Sequence, residues 1–76
     1  MTDYQKERLN RMMRSNWESH LRHFTAAQNP LGLEEDNRRH ELKAYEYLAW
    51  VNGMRETLEL LGYPIRYDDH SVPQIA

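Results

Sequence analysis

The sequence predicts an all-α protein, an antiparallel two-helix hairpin with an extended C-terminal arm, pairing with a second copy into a four-helix bundle. Three observations lead there. Two long segments, 3–28 and 34–61, repeat their apolar residues at helical spacing. A short breaker, "NPLGL" (29–33), separates them. The second segment is apolar on two sides, which is more surface than one neighbouring helix covers.

The first helix starts from a cap at Thr2 or Asp3, where an acidic side chain suits the positive end of the helix dipole. No Pro or Gly interrupts residues 2–28. At about 100° per residue, Leu9, Met12, Met13, Trp17, Leu21, Phe24 and Ala27 share one side, and Arg8, Arg11, Glu18 and Arg22 lie opposite. In the breaker, Asn29 is expected in the left-handed region, Pro30 bars continuation and Gly32 frees the chain to turn. Glu34, Glu35 and Asp36 then open the second helix, whose stop is Gly62, backed by Tyr63 and Pro64. A loop this short makes the two helices antiparallel neighbours. In the tail, 63–76, Tyr63, Ile65 and Tyr67 alternate, so an extended segment folding back on the helices is expected, with fraying beyond Asp68.

The second helix raises the functional question. Its wide apolar sector holds Ala44, Tyr47, Leu48, Trp50, Val51, Met54, Leu58 and Leu61. A narrower sector, nearly opposite, holds Leu42, Tyr45, Ala49, Gly53 and Leu60. Its centre is small, and a glycine inside a helix costs about 1 kcal/mol relative to alanine. Small residues one turn apart permit close helix approach. A contiguous apolar sector with no partner in its own hairpin marks an interface, unless the tail lies over it. The expected partner-binding residues are therefore Leu42, Tyr45, Ala49, Trp50, Gly53, Leu60, Tyr63 and Tyr67, and the simplest closed arrangement is a homodimer.

Composition narrows the alternatives. Seventy-six residues make one small domain, and a mean hydropathy of −0.98 implies a thin core. The absence of cysteine removes disulfides and thiolate chemistry. No apolar run is long enough to cross a membrane, and "MTDYQKERLNRMMRSNW" lacks the apolar stretch of a signal peptide, so a cytoplasmic protein is expected. No cofactor is implied. No nucleophile elbow or phosphate-binding glycine loop occurs, and Glu56 and Glu59 have no cleft to tune them, so the chain reads as not an enzyme.

Two further constellations stand beside the apolar sector. Arg8, Arg11, Arg14 and Arg22 form a basic face on the first helix that could meet nucleic-acid phosphates, the alternative function. Against it, glutamates interleave the stripe, the chain is net −2, and no short recognition helix is evident. His20, His23 and His40 fall near the loop end of the hairpin, as three ligands of a metal would. Their spacing follows no established ligand pattern, and buried hydrogen-bonded histidines are the expected outcome.

The stretch "AYEYLAWVNGMRETLELLGY" (44–63) resembles the closing helix of small phage and prophage accessory proteins, with an aromatic-rich start, a Gly-Met pair and a Leu-Glu-Leu-Leu-Gly-Tyr stop. The resemblance implies a virus-encoded protein that binds and inhibits or redirects a host protein, anti-CRISPR-type inhibitors among them. It assigns no functional residues.

Overall fold

The computed structural model describes all 76 residues as two helices and a small antiparallel sheet. Helix α1 spans Asp3–Ala26 and α2 spans Glu34–Leu60, followed by β1 (Ile65–Tyr67) and β2 (Pro73–Ile75). Thr2 and Gln5 close a reciprocal capping box on α1: the Gln5 N–H donates to Thr2 Oγ1 at 3.1 Å, and the Thr2 N–H to Gln5 Oε1 at 2.9 Å. No helix is long and apolar enough to cross a membrane.

The breaker turns differently from the expectation. Asn29 does not enter the left-handed region. Its side chain makes the turn instead, with Oδ1 accepting from the Leu31 N–H at 3.0 Å. Asn37 on α2 reaches back, its Nδ2 donating to the Asn29 carbonyl at 2.9 Å. Gly32 has no unusual φ; a Cβ there would meet Asn37 Oδ1 at 2.7 Å and displace the side chain that reaches back to Asn29. At the other end, Gly62 does take positive φ (90°). The Tyr63 N–H donates to the Leu58 carbonyl and the Gly62 N–H to the Glu59 carbonyl, both at 3.0 Å, which is a Schellman stop. Tyr63 packs on the cluster containing Leu58, as that motif favours.

The tail corrects the reading of fraying beyond Asp68. It returns as a β-hairpin with Ile65 opposite Ile75 and Tyr67 opposite Pro73. Only seven residues of the chain are buried, and three of them, Val72, Pro73 and Ile75, belong to this tail. Ile75 joins Met13 of α1 and Leu58 of α2 in the central cluster, with Leu9, Trp50, Met54, Tyr63 and Ile65 packed around it. Pro73 has no N–H to donate, which a two-stranded edge tolerates.

Two polar side chains hold the hairpin in place. Asn10 on α1 acts as a substitute strand: its Oδ1 accepts from the Ile75 N–H at 2.8 Å and its Nδ2 donates to the Ile75 carbonyl at 3.4 Å. Asp68 organises the turn, accepting from the backbone N–H groups of His70 (2.8 Å) and Val72 (3.0 Å) and from Gln74 Nε2 (3.1 Å). Ser71 completes the turn at positive φ, 64°. The Val72 N–H is the largest cause holding the Asp68 carboxyl below its ordinary range, with His70, Gln74 and the Arg14 guanidinium 3.7 Å away adding to it and partial desolvation opposing. Because the folded pKa is depressed, this contribution is full above the unfolded value of 3.8 and is lost as pH falls below it. Acidification into that range, or Asp68→Ala at neutral pH, should release the hairpin turn before the helices melt. Hydrogen exchange is the check, with early loss of protection at residues 68–75 and later loss along α1 and α2.

Candidate protein-binding surface

The narrow apolar sector of α2 lies open along the helix. Leu42 is 59% exposed, Tyr45 55% and Leu60 88%, and Ala49 and Gly53 are exposed between them. Apart from Gly53, its chain neighbours and the adjoining turns of helix backbone, no atom of the chain lies within 4 Å of where a Gly53 Cβ would stand. The tail therefore does not cover this sector. It docks instead beside the wide sector, where Ile75 meets Leu58 and Met13.

The reason is geometric. Gly62 turns the chain toward the side of α2 that already faces α1, and the Asn10 clamp fixes β2 against α1. Tyr63 follows that path, and it and Trp50 pack on the core cluster, away from the stripe. Tyr67 points outward from β1, 57% exposed. Of the eight expected contact residues, Leu42, Tyr45, Ala49, Gly53 and Leu60 thus form one open stripe, Tyr67 is exposed on the hairpin away from it, and Trp50 and Tyr63 fall outside it.

Charged groups beside the stripe are already paired within α2. Lys43 Nζ lies 3.2 Å from Glu46, and Arg55 reaches Glu59 at 3.2 Å and Glu56 at 3.6 Å. The Glu59 hydrogen bond is the leading reason the Arg55 guanidinium is held even more firmly protonated than usual. Exposed pairs of this kind contribute little stability. Lys43 offsets Glu46, while the single Arg55 serves both Glu56 and Glu59, so these groups keep a net negative charge.

The basic face of α1 is less available than its spacing suggested. Arg11 pairs with Glu7 at 3.1 Å, Arg14 with Asp68 at 3.7 Å, and Arg8 Nη1 lies 3.5 Å from the Tyr4 hydroxyl. Arg22 has no ion pair.

The histidines separate into two settings. His20 Nδ1 lies 2.9 Å from the Ala44 carbonyl, tying α1 to α2. His23 and His40 approach Nδ1 to Nδ1 at 2.9 Å, and His23 stacks on Tyr47 at 5.6 Å with a 10° tilt. Two imidazole nitrogens that close share one hydrogen between them, so one ring donates and the other accepts. No three His, Asp or Glu side chains converge as a metal would require.

A second groove was not foreseen from the sequence. Met1, Leu9, Met12, Met54, Leu58, Leu61 and Tyr63 line an open depression of about 550 Å³ where the start of α1 meets the end of α2. Its signal was present as methionines on both helices, flexible side chains that suit irregular packing.

Comparison of the chain with family models, with curated proteins and with solved structures returns no match.

Proposed function

We propose that this chain is a small non-catalytic protein-binding module that acts through the open stripe of α2 and associates with itself, so that two hairpins contribute four helices to one assembly. The observation that carries this reading is the exposure of Leu42, Tyr45, Ala49, Gly53 and Leu60 after the tail has folded. Contiguous apolar surface of this kind is kept where another protein covers it. In the wider setting implied by the resemblance of residues 44–63, the module is a phage-encoded inhibitor or regulator of a host protein, working in the cytoplasm by occupying a surface.

The competing assignment, a nucleic-acid-associated protein using Arg8, Arg11, Arg14 and Arg22, is disfavoured by the carboxylates already engaging Arg11 and Arg14. Salt separates the two. Phosphate binding weakens steeply as salt rises, because counterions are released on association. An apolar contact is nearly indifferent. The expected result is self-association of unchanged strength from low to high salt, with no retention of duplex or single-stranded nucleic acid at low salt. Salt-sensitive nucleic-acid binding lost in Arg8→Ala/Arg22→Ala would overturn the assignment.

A further inference from the structure

Apart from Tyr45, the stripe of α2 reads the same in both directions. Leu42, Ala49, Gly53 and Leu60 are separated by seven, four and seven residues, with a leucine at each end and a small residue at each inner position. Eighteen residues make five turns at 3.6 per turn, so the two leucines share one azimuth about 27 Å apart. Turning a second α2 end over end about the level of Val51 brings Leu42 opposite Leu60 of the other copy, and Ala49 opposite its Gly53. Each of these two matches then occurs twice.

Resting on the proposed self-association, we infer that the occupant of the stripe is a second copy of this chain, and that the two α2 helices pack antiparallel about a two-fold axis at the level of Val51, on the face opposite that buried side chain. Charge selects this direction over the parallel one. A parallel pair would abut Glu34, Glu35 and Asp36 of the two copies at one end, three carboxylates against three, with the two helix dipoles aligned. The antiparallel pair separates these clusters to opposite ends and opposes the dipoles. Along its rim Glu46 falls beside Thr57 of the other copy and Glu56 beside its Tyr45, while Glu46 also lies level with the other copy's Glu56 across the seam; a parallel pair sets Glu46 against Glu46 in the same way, so the acidic first turns and the dipoles decide the direction.

Two consequences follow. The stripe and the wide sector lie on nearly opposite sides of α2, so each α1 stays on the outside, and the four helices form a layer rather than surrounding one core. The footprint is also small. A strip about 27 Å long and one helix wide falls below the roughly 800 Å² per partner of a standard interface. The pair is accordingly concentration-dependent.

The chain has no cysteine, so engineered thiols are the only ones present. Leu42→Cys and Leu60→Cys, both at exposed positions, are made separately and oxidised alone and mixed. The expected result is a crosslinked dimer from the mixture and almost none from either variant alone. Glu46→Cys mixed with Thr57→Cys should behave the same way and leaves the leucines in place. Crosslinking of each variant with itself would overturn the antiparallel arrangement, as would a dimer that forms no crosslink in any combination, and in both cases self-association would stand. A chain that remains monomeric at every concentration would remove both the arrangement and the association on which it rests.

Discussion

Ile75→Ala should lower the stability of the fold by about 2–5 kcal/mol. Ile75 is almost fully buried, and with Met13 and Leu58 it makes the cluster around which the rest packs. A domain of this length has a total stability of roughly 4–11 kcal/mol, at about 0.05–0.15 kcal/mol per residue. Removing three carbons from the second-last residue would therefore take a large share of it. In a domain this small, each kcal/mol moves the midpoint by about 4–8 °C, so thermal unfolding followed by helical circular dichroism should shift by at least about 8 °C. The Asn10 bonds to Ile75 are made to its backbone and survive the substitution, so the loss reports packing. An unchanged midpoint would mean that the tail is an appendage and that α1 and α2 are stable without it.

Gly53→Leu should leave the single chain folded and abolish its association. Nothing lies near the missing Cβ, so a side chain there meets no obstruction within the chain. Leucine is also a better helix former than glycine by somewhat under about 1 kcal/mol. The variant should consequently melt no lower than the parent protein as a monomer. In the proposed pair, however, Gly53 stands opposite Ala49 of the other copy, and a leucine would hold the helices apart along the whole strip. Sedimentation should find the parent protein self-associating and the variant monomeric at equal concentration, with the same helical content. A variant that associates as strongly as the parent protein would show that close approach at Gly53 is irrelevant.

The two helices were legible because their signals are dense and agree: apolar periodicity over many turns, acidic first turns, and a glycine stop whose Schellman bonds are present. The exposed stripe was legible for the same reason, since Leu42, Ala49, Gly53 and Leu60 recur on one azimuth through five turns. The β-hairpin was not. Its strands have three residues each, too few for alternation to register, and Pro73 argues against a strand. What builds it is long-range: a three-residue core drawn from three elements, and the Asn10 carboxamide bound to a backbone 65 positions away. Asn10 lies outside the apolar stripe of α1 and carried no local sign of that role. The histidines are hydrogen-bonded, as expected. Their spacing placed all three at the loop end, but the helix register sent His20 to a carbonyl and left His23 and His40 to each other.

The most direct test is the molar mass of the unmodified protein by light scattering, over a wide range of concentration. If Leu42, Ala49, Gly53 and Leu60 are a self-complementary strip, the mass should climb from 9.2 kDa toward twice that value as concentration rises, whatever the salt. A mass fixed at 9.2 kDa throughout would contradict the account.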